Sequence, residues 1–245
     1  MRQLFLFLAT IAIIILVACS NESKSRESEN IPKQETEEKI MPKKSTANLN
    51  ASLLRATKAK DLEQIRSLLD QGAQVDAVNS KGESGLLIAT HENDIQMAQL
   101  FLEYDADVNL QDHMQDSPFL YAGAEGRTEI LRHMLSHHPD YKLTNRFGGT
   151  ALIPAAEKGH LANVRLLLAE TEIDVNHVNN PGWTALLEAI VLSNGNKTQQ
   201  QIVQALLENG ADPNIADANG VTPLQHAKEQ NYHAIADMLQ AHGAK

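Results

Sequence analysis

Cysteine is almost absent from this chain of 245 residues: there is one, Cys19. A disulfide framework and a Cys-ligated zinc site are therefore excluded, as is a catalytic thiol within the bulk of the chain. Aromatic residues are also scarce, at 4%, with a single tryptophan. Basic residues are outnumbered, 21 against 31 acidic ones, a net charge of −10. Such a balance argues against nucleic acid and anionic lipid surfaces as partners. There is no Gly-rich phosphate loop, no G-x-S-x-G elbow and no H-E-x-x-H pair, so the commonest nucleotide, acyl-transfer and zinc-hydrolase signatures are missing. The only long apolar run is Leu4–Ala18, shorter than the roughly 20 residues that a membrane-spanning helix needs.

That run follows a start with one positive charge, Arg2, and ends at Leu16-Val17-Ala18-Cys19. It reads as a signal-peptide core, and the last four residues resemble the lipobox of bacterial lipoproteins. The resemblance implies cleavage before Cys19, acylation of its sulfur, and acylation of the new amino group; an uncleaved anchor is the alternative. Two or three acyl chains, at about 0.8 kcal/mol per buried CH₂, anchor firmly where one does not. Ser20, in place of Asp after the cysteine, implies the periplasmic face of the outer membrane in a Gram-negative cell. In a one-membrane bacterium it implies the outer face of the cell membrane.

Residues 20–47 hold six acidic and six basic side chains and no aromatic one. A segment of this kind buries too little apolar surface to offset its ordering entropy. The expected organisation is thus a signal peptide at 1–18, a lipidated cysteine and solvated tether at 19–47, and a folded part at 48–245. As a flexible coil the tether would span on the order of 30 Å. After position 47 there remain 25 acidic and 14 basic residues, a net charge of −11.

The folded part repeats. A small hydroxyl residue recurs at Ser84, Ser117, Thr150, Thr184 and Thr222, at intervals of 33, 33, 34 and 38. A large apolar residue recurs at Leu68, Phe101, Met134, Leu167, Leu206 and Leu239, at intervals of 33, 33, 33, 39 and 33. The two series agree if one residue is inserted in "AETEIDVN" and five in "VLSNGNKTQQQ". A period held over five steps means stacked units. Each hydroxyl residue is placed to cap a helix, with Pro118 or Pro223 behind it where no amide donor is needed. Alanines such as Ala89, Ala122, Ala155, Ala189 and Ala227 keep one face of that helix small, so that neighbouring units approach closely. "NVRLLL" and "IVQALL" give the second helix its apolar stripe. Gly72 and Gly210 then suit a left-handed helix end, where Asp105 and His138 stand in other units.

These motifs resemble the ankyrin repeat. Stretches such as "NRFGGTALIPAAEKGH" and "NGVTPLQHAKEQNY" look like those of bacterial ankyrin proteins, although the helix-opening His of the family is replaced by Leu87, Leu120, Ile153, Leu187 and Gln225. The resemblance implies an all-α solenoid of about six helix-turn-helix repeats with short β-turn fingers, at 48–78, 79–111, 112–144, 145–178, 179–216 and 217–245. It also implies an interaction module that binds a protein through its concave face, formed by the fingers and the ends of the first helices. On that face Met114, Arg146, Phe147 and Trp183 stand out, because aromatic and Arg side chains dominate interface energetics. The net charge favours a partner with a basic patch.

Two other constellations point elsewhere. Glu188 and His226 occupy equivalent positions in successive repeats, where an acid and an imidazole facing each other could do acid–base work. His133 and His137 are spaced i, i+4, with His138 adjacent, as a transition-metal grip would be. A metal- or Glu/His-dependent envelope hydrolase is accordingly the alternative function. The expectation favours no enzyme, no cofactor and no bound metal, since no further ligand stands at a suitable spacing.

Overall fold

The computed structural model describes residues 45–245. The apolar leader, Cys19 and nearly all of the expected tether lie outside the described residues. No described helix is long and apolar enough to cross a membrane.

The described chain forms six helix pairs. They are α1 (Thr46–Ala59) with α2 (Leu62–Asp70), α3 (Gly85–His91) with α4 (Ile95–Glu103), and α5 (Pro118–Ala124) with α6 (Thr128–Met134). Then come α7 (Leu152–Glu157) with α8 (Leu161–Glu170), α9 (Ala185–Val191) with α10 (Lys197–Glu208), and α11 (Pro223–Glu229) with α12 (His233–Ala241). Helix α1 begins two residues before the expected domain start, because Ser45 caps it by accepting from Asn48 N. Odd-numbered helices pack on odd-numbered ones and even on even, giving two layers. No ladder of strands forms among the described residues; the fingers contribute one isolated bridge, between Val78 and Ser84.

The recurring residues occupy the places their chemistry requires. Leu68, Phe101, Met134, Leu167, Leu206 and Leu239 are all buried and form the spine of one continuous core. Burying a side chain of this size contributes about 1.5–3 kcal/mol, so each unit is held mainly by its neighbours and not by its own short helices. Ala89, Ala122, Ala155, Ala189 and Ala227 are fully enclosed between first helices. Gly85 lets α3 approach the second helix of its own unit, since a Cβ there would lie 2.2 Å from the Phe101 ring. Asp105 and His138 adopt positive φ, 58° and 54°, at the helix ends where other units have glycine.

One cap departs from expectation. Ser84, Ser117, Thr184 and Thr222 each accept from the amide three residues on, but Thr150 does not, and its buried Oγ1 has no partner. The reason is Pro154. In the other units the residue at this position donates its amide to the carbonyl of the capping residue, as Glu188 does to Thr184 O at 3.0 Å. A proline has no such donor and crowds the carbonyl four residues back. Ile153 N turns instead to Thr150 O, at 3.3 Å, and α7 starts late, at Leu152.

The five-residue insertion extends both the loop and the helix that follows. Asn196 caps α10 by accepting from Thr198 N and Gln199 N, and Gly195 sits against Tyr232 of the next unit. The histidine group is arranged differently from the sequence expectation. Helix α6 ends at Met134, so His137 and His138 lie in the turn beyond it and do not share a helix face with His133. His133 Nε2 is engaged by Gln99 Nε2 at 2.8 Å. Among the described residues no group of three His, Cys, Asp or Glu side chains is placed to hold a metal ion.

Candidate functional site

Each finger opens on an Asn or Asp five residues before the hydroxyl marker: Asn79, Asp112, Asn145, Asn179 and Asp217. The Oδ1 of Asn79, Asp112, Asn145 and Asp217 accepts from the amides two and four residues on, at 2.8–3.1 Å. At Asn179 only the second donor exists, Trp183 N at 2.8 Å, because Pro181 has no N–H. The backbone amide of every opening residue also donates to the carbonyl four residues on, as Asn145 does to Gly149 O at 2.9 Å. This local hydrogen bonding holds the turn without a strand partner. The sequence signal for these five residues is their constant offset from the repeat marker.

The turns set the tips of neighbouring fingers together. Asn180 N donates to Phe147 O at 2.9 Å. Gly148 has φ 72°, and a Cβ there would come within 2.4 Å of Asn180 Oδ1, so only glycine permits this approach. The amides of Phe147 and Trp183 are held by Asn145 and Asn179; the Phe147 side chain is exposed and that of Trp183 is half-buried.

Between these two fingers and the ends of α5, α7 and α9 lies a groove of about 490 Å³. Arg146, Phe147 and Trp183 line it, with Tyr121, Pro154, Pro181, Leu192 and four acids, Asp116, Glu125, Glu157 and Glu188. Phe147 is 55% exposed and Met114 54%. Met114 sits on the preceding finger and is not part of the groove lining. The structure thus brings three of the four singled-out residues to one place. The late start of α7 is part of its floor, since Gly149, Ile153 and Pro154 belong to the lining.

Charge in the groove is partly neutralised within the chain. Arg146 Nη1 lies 3.6 Å from Asp116 Oδ2, and its guanidinium stands 4.7 Å from the centre of the Phe147 ring. Lys158 pairs with Glu125. Burial raises the Asp116 carboxyl above its ordinary value, against the opposing pull of Arg146. Glu188 is only 7% exposed. Burial, helped by the charge of Glu157, pushes its pKa up from 4.5 to about 7, against the opposing effect of the hydrogen bond from Asn179.

Glu188 and His226 do not form the acid–imidazole pair that their repeat positions allow. Asn179 Nδ2 donates to Glu188 Oε1 at 2.7 Å, and His226 Nε2 lies 3.0 Å from Asp217 Oδ2. Each is tied to the opening residue of its own finger, nine positions earlier, because that residue points its second side-chain atom along the first helix. The dyad expectation is corrected on this point: both side chains brace fingers.

Comparison with known proteins gives the same architecture. Residues 53–145 and 119–217 match the family described as ankyrin repeats (3 copies). An ankyrin repeat protein of Escherichia coli (strain K12), YahD, is 57% identical over 97 residues, which are 40% of this chain and 48% of YahD. The mitochondrial disaggregase of Bos taurus is 38% identical over 85 residues, 35% of this chain and 12% of that protein. The chain therefore spans less than half the length of these curated relatives. Two crystal structures match much more fully. An ankyrin repeat domain from Acinetobacter baumannii AYE is 52% identical, with a TM-score of 0.77 over 79% of this chain and 98% of that one. EF0377, also an ankyrin repeat protein, is 45% identical with a TM-score of 0.76, over 80% of this chain and 98% of that one. With its period, its paired helices and its braced fingers matched in this way, the chain belongs to the ankyrin-repeat family.

Proposed function

We propose that the chain is a membrane-tethered interaction module of the cell envelope, which holds a protein partner against the groove between the fingers that open on Asn145 and Asn179 and so regulates or inhibits that partner. Ankyrin repeats generally mediate protein–protein interaction. The observation that carries the present reading is the clustering of Arg146, Phe147 and Trp183 around one groove. An exposed phenylalanine beside an arginine and a tryptophan is the composition of an interface hot spot, and a finger whose backbone is already held loses little main-chain freedom on binding.

The tethering rests on the leader and on Cys19. Replacement Cys19→Ser is expected to release or mislocalise the protein while leaving partner binding intact. Retention at the membrane with the precursor's mass would favour an uncleaved anchor. The docking face is tested in the native cell by a photo-crosslinking residue placed at Phe147 and, as a control, at Gln201 on the outer face of α10. A discrete protein adduct from position 147 and none from 201 is expected. Adducts from 201 alone would put the partner on the other side of the solenoid.

A further inference from the structure

The groove holds more carboxylate than the chain neutralises. Asp116 faces Arg146 and Glu125 faces Lys158. Among the described residues, Glu157 and Glu188 have no ion-pair partner. They belong to the same groove as Trp183, Pro181 and Leu192, and Glu157 acts on Glu188 as a like charge. Two carboxyl groups, Glu157 half-buried and Glu188 buried, beside aromatic and aliphatic surface disfavour an anion and attract a cation, because an aromatic face is negative and a carboxylate withdrawn from water gains by pairing with a positive charge. The groove, at about 490 Å³, is far larger than a bare metal ion and suits an organic side chain.

We propose that this groove receives one lysine or arginine side chain of the partner protein, its cationic head against Glu157 and Glu188 and its stem along Trp183 and Pro181. The inference rests on the reading of the same groove as the partner-binding face, and it names the chemistry recognised there. A long basic side chain satisfies both halves of the site, since its methylene stem covers apolar surface while its head meets charge. Arginine adds a planar fork that stacks on a ring and binds carboxylate in two places.

The groups around Glu188 give the binding a pH dependence. Glu157 and Lys158 lie at the end of α7, Arg146 on the finger that opens on Asn145, and Asn179 on the same finger as Trp183. From the sixth unit α11 packs on α9 and carries His226, which is tied to Asp217. A cation set beside Glu188 favours its ionised form. Binding therefore releases a proton near neutral pH, and affinity rises as pH increases through about 7.

Trp183 is the only tryptophan of the chain, so its fluorescence reports on this groove alone. The test is a fluorescence titration of the full chain, in a neutral detergent, with acetyl-Ala-Ala-Arg-Ala-Ala-amide, its lysine counterpart, and the isosteric uncharged citrulline peptide. Saturable binding of the two basic peptides is expected, with the citrulline peptide weaker by roughly tenfold. Glu157→Gln and Glu188→Gln should each weaken the basic peptides to a similar extent, and a thermal melt of each variant checks that it is folded. Wild type should bind more tightly at about pH 8 than at about pH 6, and Glu188→Gln should lose most of that difference. Equal binding of the citrulline peptide, or basic peptides that bind both folded variants as well as wild type, would overturn the proposal. A protein adduct at position 147 that persists when the peptides fail would leave the partner face standing and remove only the cationic pocket.

Discussion

Glu188 is a buried carboxylic acid whose proton is held more tightly in the folded protein than in the unfolded chain, where its pKa returns to about 4.5. The folded state therefore binds more protons between about pH 4.5 and pH 7. The resulting stability is fully present below the unfolded pKa and is lost as pH rises through the folded one. A shift from 4.5 to about 7 corresponds to stability of order 3 kcal/mol. Glu188→Gln keeps the acceptor for Asn179 and removes the titration. Urea unfolding of this variant is expected to depend less on pH across that window, and to be more stable than wild type above it. An unchanged pH profile would mean that the carboxylate is solvated after all. The residue's burial was not legible in the sequence, where Glu188 and His226 stand at equivalent positions of successive repeats with nothing to show what covers either. What buries it is the finger above it, through Asn179, and that depends on the turn rather than on the helix pattern.

At the scale of the element, α7 differs from the five other first helices in a way that single substitutions can read. Thr184 Oγ1 accepts from Leu187 N, whereas Thr150 Oγ1 is buried without a partner. Thr184→Ala should cost about 1 kcal/mol, in the range of lost helix caps. Thr150→Ala should cost little or nothing, since no hydrogen bond is removed and one unsatisfied oxygen disappears. Equal losses in the two variants, measured by urea unfolding, would show that Thr150 caps α7 in solution. Periodicity alone made the two threonines equivalent. The missing cap follows from Pro154, which stands four residues after Thr150 in "TALIPAA". Helix spacing, the buried apolar spine and the left-handed helix ends were legible, because each follows from residue type at a fixed period. The histidine group was not, because it required knowing that α6 stops at Met134.

For the whole molecule, charge and stacking set how a partner is met. Residues 48–245 carry a net charge of −11, and exposed charges steer association over about a Debye length, roughly 8–10 Å at physiological salt. The on-rate for a partner with a basic patch should fall as salt is raised, while the off-rate changes less. Stopped-flow measurements over a range of salt would show this, and salt-independent on-rates would argue against steering. The general location of the candidate groove, on the finger side of the solenoid, was legible once the repeat was aligned. Its composition was legible in part: Arg146, Phe147 and Trp183 share the groove, and Met114 stands outside its lining. The inward-facing acids were not, since a carboxylate at the end of a short helix looks solvated until the neighbouring unit is stacked against it.

The most direct test of the groove as the docking face is the equilibrium affinity of the protein crosslinked through position 147, measured for wild type and for Trp183→Ala. A loss of at least tenfold is expected, as for the central residue of an interface. An unchanged affinity in a variant that melts like wild type would contradict the assignment of the groove.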